Sequence, residues 1–367
     1  MIGAMNSVNA LVTRSLVAGP LAALSLAAVA PLELSGCSTG QSAPTQITSA
    51  SSSADKRTEA CRAYVQTLSD SEKNRGLRPL TDGERTQWIF VRGDRPGLFL
   101  RDMDAATRAA ALEFVDSLLS AAGQEQWRLI RVIETINGKN EKDAGVTPPS
   151  FGDDLYTMML FASPDADAWA VQFEGHHFVL NVASVHGVVT VTPAFTGASP
   201  VAVSSGVDVG KRPLGAAVNA AFQLANSLTV NQRATARILD GTPADVLFAV
   251  GSDSKKPDMR GVNRRDMTAA QQELVDKLLA SHAGLLAEEV VNAQLRQWRE
   301  EFNGELTFAF VGDTDLNKAH YYRLTSPCFT IEYDCTNGDA NHVHCVWSDP
   351  SNNFGGDALR EHLHSAH

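Results

Sequence analysis

The chain has 367 residues, 44% of them hydrophobic, and a formal net charge of -11. That hydrophobic content is ordinary for a globular protein. The acidic balance argues against a nucleic-acid partner, which would need a basic face; Lys255-Lys256 and Arg264-Arg265 stand in a polar loop and read as solvated charge.

Residues 1–36 read as a secretory signal. Met1 to Arg14 lacks acidic residues and ends on a basic one, and Leu16 to Leu32 is an apolar run of Ala, Leu and Val. Leu34-Ser35-Gly36-Cys37 resembles the lipobox of bacterial lipoproteins, although Glu33 just upstream is foreign to an apolar leader. That resemblance implies cleavage before Cys37 and acylation of its thiol and new amino group. The expected partner is then a lipid bilayer, with the folded part in extracytoplasmic water, or the periplasm if the source is Gram-negative. An ordinary signal peptide with an unrelated cysteine is the alternative. Residues 37–58 are rich in Ser, Thr, Ala and Gln and read as a flexible tether.

From residue 59 to 367 the pattern predicts a single α+β domain. Helices are expected over Ala60–Leu68, Asp104–Ala122 and Trp127–Ile136, with a short strand at Trp88–Phe90. A central β-meander follows, from Tyr156–Ala162, Ala168–Phe173, His177–Val182 and Val188–Thr192. Helical periodicity returns over Pro213–Leu228, Thr268–Leu279 and Leu286–Phe302. A C-terminal strand group comprises Leu306–Val311, Tyr321–Thr325, Phe329–Tyr333 and His342–Trp347, and a helix over Gly356–His364 closes the chain. Runs of helices alternating with runs of strands predict antiparallel sheet, in one piece or two, packed with helices rather than a βαβ fold. No repeat at a fixed period is found.

Cys61, Cys328, Cys335 and Cys345 remain beside Cys37. In an oxidising compartment they predict disulfides, with a local bridge among the last three; a Cys/His zinc knot is the alternative.

The chemistry concentrates on histidine. His342 and His344 stand one residue apart on a strand and therefore share a face. Asn337-Gly338 is a strong turn dipeptide, so these histidines lie opposite Ile331 and Tyr333 or, one register over, Glu332 and Asp334. Upstream, Glu174-Gly175-His176-His177 offers a second pair whose rings, on an extended strand, would face opposite ways. Three imidazoles with one open position suit a zinc ion that activates water. Candidate ligands are His176, His177, His342, His344 and His362, and candidate bases or orienting groups are Glu174, Glu332 and Asp357. Each has a structural alternative: a hydrogen-bonded strand histidine, a helix N-terminal charge for Asp357, a C-terminal cap for His362. His282 and His320 read as surface or loop residues, and Trp88, Trp169 and Trp347 as core or pocket walls. Nucleophile-elbow, P-loop, dinucleotide and His-Glu-x-x-His patterns are absent from the sequence.

Several segments together resemble the bacterial and eukaryotic family of domain of unknown function 3500. They are Glu84-Arg85 with Trp88 and Arg95-Pro96-Gly97-Leu98; Glu174-Gly175-His176-His177 with Asn181; Thr192-Pro193 with Phe195 and Gly197-Ala198; and Tyr322-Arg323 with Glu332-Tyr333-Asp334. The remainder are Asn341-His342-Val343-His344 with Trp347 and Asp349, and Asn353-Phe354-Gly355 with Asp357, Leu359 and His362. Ser348 and Asn353 depart from the Arg and Asp that the family tends to carry there. The resemblance covers Cys61 to His367 and implies one domain.

The expectation is thus a lipid-anchored extracytoplasmic protein with a divalent metal, zinc by default and copper or iron as variants. It would hydrolyse a small-molecule substrate or, alternatively, capture a metal or small ligand without turnover.

Overall fold

The computed structural model describes residues 51–251, 258–337 and 340–365. The signal segment, most of the tether and Cys37 lie outside the described residues. Helix α1 (Ser51–Thr67) starts inside the stretch expected to be a tether. Among the described residues no helix is long and apolar enough to cross a membrane.

The chain runs twice through one order of elements. In the first half α1 and α2 (Asp70–Gly76) lead into β1 (Leu77–Arg78), β2 (Leu98–Phe99) and a 3-10 turn at Leu100–Asp102. Two longer helices follow, α3 (Ala105–Leu118) and α4 (Ala121–Asp143). The meander is β3 (Thr157–Phe161), β4 (Ala168–Gly175), β5 (Phe178–Val185) and β6 (Val188–Ala198). In the second half α5 (Gly215–Ser227), α6 (Val230–Ala236), β7 (Val262–Asn263) and a 3-10 turn at Arg264–Asp266 precede α7 (Ala269–Ala283) and α8 (Glu288–Glu300). The strands β8 (Thr307–Gly312), β9 (His320–Thr325), β10 (Thr330–Asn337) and β11 (His342–Ser348) come next, and α9 (Gly356–Ser365) closes the chain.

Local interactions repeat with the elements. Thr67 Oγ1 donates to Tyr64 O at the end of α1, and Ser227 Oγ donates to Leu224 O at the end of α5. Ser69 and Thr229 then build capping boxes with Glu72 and Gln232. Asp104 and Thr268 cap α3 and α7. From the first turn of those helices Thr107 and Gln271 reach back to the Thr67 and Ser227 carbonyls. Both halves also carry an Arg-Asp-Met before the cap, Arg101-Asp102-Met103 and Arg265-Asp266-Met267.

All eleven described strands form one sheet, antiparallel except where β1 pairs with β3. The order β3-β4-β5-β6-β11-β10-β9-β8 places the two meanders back to back about the β6–β11 seam. There Trp347 pairs with Ala194 and Val346 with Phe195. Between the helices Leu119 bridges Leu286, Ser120 N donates to Leu285 O, and Ala287 N donates to Leu118 O. These reciprocal contacts between like positions mark an approximate two-fold axis. The fold is mixed α+β, as expected, with the strand groups joined as one sheet.

The longer helices cover one face, while α9 packs on the other through Leu359 against Ala168 and Val185. Trp127 of α4 stacks on Phe178 and meets Tyr156 and Phe173 edge-on. The rest of that other face is covered by irregular segments. Trp88 and Phe90 pack on Phe195, and Val179 and Val346 join them with Val246 and Ala249. Trp88–Phe90 is therefore not a strand but the plug of a segment whose carbonyls, at Glu84, Arg85 and Gln87, are held by Gln172 Nε2. Strand β6 runs past its expected end at Thr192. Pro193, which has no N–H to donate, sits beside a register shift where Asn181 Nδ2 donates to its carbonyl.

The cysteine expectation is corrected. Cys61, Cys328, Cys335 and Cys345 are buried free thiols. Cys345 pairs with Tyr333, so Cys335 is a diagonal neighbour. Diagonal positions lie about 7–8 Å apart, too far for a disulfide. Cys328 is in the turn at the opposite end of β10, and Cys61 is on α1.

Candidate metal centre

The β4–β5 hairpin turns through His176 and His177. An extended chain would send these rings to opposite faces, but His177 has φ 64°, in the left-handed region that a non-glycine residue occupies only at a cost. Both rings thereby swing to one side, with centroids 3.6 Å apart. Glycines on either side make room. A Cβ at Gly175 would lie 1.9 Å from the Tyr156 ring, whose hydroxyl donates to His176 O at 2.8 Å. A Cβ at Gly197 would lie 2.7 Å from the His177 ring and 2.8 Å from Val343 O. Gly197 N donates to His177 O at 2.8 Å, which ties the hairpin to β6.

Strand β11 brings the other histidines. Asp334 pairs with His344, so the carboxylate register is the one formed. His342 and His344 share the face away from the longer helices, with ring centroids 4.5 Å apart. His176, His177 and His342 each offer a ligand atom, and these atoms lie within 4.8 Å of one another. His177 Nε2 and His342 Nε2 stand 2.8 Å apart. Two imidazole lone pairs cannot face each other at that distance without a shared proton or a cation between them.

Glu134 of α4 stands behind the group. Its Oε1 is 2.8 Å from His176 Nδ1 and 3.5 Å from His177 Nδ1. A carboxyl group held at the far nitrogen of a ligating histidine fixes its ring orientation. Burial pushes Glu134 up to about 9. Burial also pulls His176 down to about 3 and His342 to about 4, and holds His177 well below its ordinary value. The imidazoles are therefore neutral at neutral pH, the form that coordinates a cation. The donor set of three neutral imidazoles with a carboxyl behind them fits a divalent zinc-like ion.

His344 adjoins the group, 5.5 Å from His177 between ring centroids, but Asp245 takes its Nδ1 at 2.6 Å. Phe90 and Phe195 wall this side. Among the described side chains, the other candidates make their contacts elsewhere. His362 packs 5.4 Å from His186, in the β5–β6 turn at the far end of the strand from His177. Glu332 is buried in the second meander, where it accepts from Leu247 N, Phe248 N and Tyr321 Oη. Glu174 is buried near Arg95 on the face covered by residues 79–97, and burial pushes it up to about 8. Asp357 lies at the start of α9, and its side chain is outside the described ones. His282 and His320, expected at the surface, are buried; His282 Nε2 is 2.9 Å from Tyr322 Oη.

Sequence reasoning missed Glu134 and Asp245. Glu134 did leave a signal, a charged residue on the apolar stripe of Trp127, Ile130 and Ile133. Asp245 lies in irregular chain and left none.

No curated protein and no solved structure matches the chain. One family does: residues 50–356, nearly all of the repeated fold together with all three clustered histidines, match its profile, and the chain belongs to the family described as Protein of unknown function (DUF3500).

Proposed function

We propose that this chain is an exported, lipid-anchored, metal-dependent hydrolase. The observation that carries the metal reading is the meeting of His176, His177 and His342, from segments far apart in sequence, with ligand atoms within 4.8 Å. A divalent ion there, zinc by default and copper or iron as variants, supplies Lewis acidity and lowers the pKa of water. Glu134 orients His176 through Nδ1, and the strained His177 backbone holds its ring toward His342. His344, oriented by Asp245, is the side chain placed to pass a proton to or from a substrate. Phe90 and Phe195 keep water from this side of the rings. Export and acylation at Cys37 are supported by the apolar leader and the Leu34-Ser35-Gly36-Cys37 pattern.

The test is elemental analysis of untagged wild-type protein beside His177→Ala and His342→Ala, followed by a screen on esters, phosphates and amides. Stoichiometric metal lost in both variants, with turnover lost in parallel, is the expected result. Background metal in all three preparations would overturn it. Detergent partitioning of wild type against Cys37→Ala tests the anchor.

A second reading, a metal-capturing lipoprotein without turnover, is favoured by one observation. The hollows of about 580 and 660 Å³ lie beside α6 and between α7 and α8, and neither touches the histidines. Metal bound without turnover in the screen would select it.

A further inference from the structure

The first half carries an insertion that the second lacks. Helix α4 runs on to Asp143 and a loop follows before β3 at Thr157, whereas α8 stops at Glu300 and β8 starts at Thr307. The insertion is pinned. Glu141 accepts from Ser150 N and Ser150 Oγ at 2.6 Å each and from Phe151 N at 3.2 Å. Gly138 permits close passage, since a Cβ there would lie 2.4 Å from Phe151 O. Phe151 is thereby set edge-on to His176, with ring centroids 5.2 Å apart. On the same ring lies Arg92, its Cζ 4.6 Å from the Phe151 centroid, with Nη1 donating to Ser150 Oγ at 3.0 Å. Glu141 is 3.7 Å from Arg92, beyond hydrogen-bond reach, and its oxygens are committed to the loop.

We infer that Arg92 and Phe151 form the substrate-recognition edge of the histidine site, and that its substrate carries an oxyanion, phosphoryl or carboxylate. This rests on the metal reading above. A guanidinium presents a planar fork of five donors that matches both anions, and the described contacts of Arg92 use one of them, to Ser150. Its side chain is 49% exposed. Glu141 pairs with Arg92 at 3.7 Å and offsets part of its charge, but its oxygens already accept from the Ser150–Phe151 backbone and hydroxyl and leave the other guanidinium N–H groups unfilled; Arg95 and Glu134 are buried, and Asp245 is bound to His344. On a chain of net charge -11 a half-exposed cation beside neutral imidazoles is a local attractor for an anion that the rest of the surface repels. The insertion supplies Phe151 and Ser150 of this edge only in the half that carries His176 and His177.

The test titrates inorganic phosphate and, separately, acetate into zinc-loaded full-length protein by calorimetry, using wild type, Arg92→Gln and Arg92→Lys. Arg92→Gln should weaken anion binding at least about tenfold, the loss of one charge-assisted contact, with zinc content unchanged. Arg92→Lys should restore part of it. An Arg92-dependent response to phosphate alone assigns phosphoryl substrates, and to acetate alone carboxylates. No anion binding, or equal binding in wild type and Arg92→Gln, overturns the proposal. If the wild type takes up no zinc, the metal reading fails separately, and the same titration on the metal-free chain decides the anion site by the same criterion.

Discussion

The two halves share a scaffold and differ in what stands at like positions. Strand register makes Phe178 and Phe329 counterparts, so His176 and His177 of the first hairpin correspond to Pro327 and Cys328 of the second. Counting from the start of α4 and α8, Glu134 corresponds to Glu301, which is exposed. Across the register shift in β6, Val191 is the counterpart of Cys345 and Thr190 that of His344, so the like stretch of β6 carries no histidine. The same hairpin thus assembles in the second half without His176 and His177, and the last strand of the meander assembles in the first half without a counterpart of His344. The fold does not require them, which makes a purely structural role hard to sustain. The outer edges differ too. β1 pairs with β3 in the first half, whereas the corresponding stretch of β8, at Phe310 to Gly312, borders the hollow of about 580 Å³.

The largest effect should come from the ligands. His177→Ala or His342→Ala should reduce bound metal to background by elemental analysis, while Cys328→Ala in the second hairpin leaves it unchanged; equal loss from Cys328→Ala would break the contrast. Next is the hairpin backbone. Gly175→Ala puts a methyl into the Tyr156 ring and should cost about 3 kcal/mol in urea unfolding. Ser326→Ala at the like position removes a hydroxyl that accepts from Cys328 N and Phe329 N and donates to Phe329 O, and should cost about 1 kcal/mol.

The third contrast is pH. Burial pushes Glu332 up to about 7 from its ordinary 4.5, whereas its counterpart Asn181 does not titrate. Between those values the native chain holds a proton that the unfolded chain has released, so stability falls as pH rises across the window. The fall is on the order of 3 kcal/mol at most, each pKa unit being worth about 1.4 kcal/mol. Glu332→Gln should flatten this part of the profile in denaturant titrations from pH 4 to 8; an unchanged slope would assign it elsewhere. The smallest effect concerns the carboxyl behind the ligands. Glu134→Gln should weaken zinc affinity about 10- to 100-fold in a chelator competition, and Glu301→Gln should leave it unchanged.

Legibility in the sequence followed the range of the interaction. Strands with period two, such as His342 to Trp347, and helices with caps, such as Asp104 before α3, were placed to within a few residues because both signals are local. The shared face of His342 and His344 followed from the same period. The opposed rings expected of His176 and His177 did not appear, because the chain leaves extended geometry at His177, and nothing in the pair announces a positive φ. The repeat escaped a fixed-period search because the insertion after α4 makes the halves unequal, although Arg101-Asp102-Met103 and Arg265-Asp266-Met267 carry it.

The sequence by itself determined the class of fold, the strands that bear histidine and the family, since periodicity, capping and short motifs are written in neighbouring residues. Tertiary structure decided which side chains meet. It joined the meanders into one sheet, brought Glu134 and Asp245 to the histidines, sent His362 and Glu332 elsewhere, and left the cysteines apart. Those outcomes depend on packing a helix face and an irregular segment against opposite sides of one sheet. That packing is a sum over residues far apart in the chain, which no local pattern records.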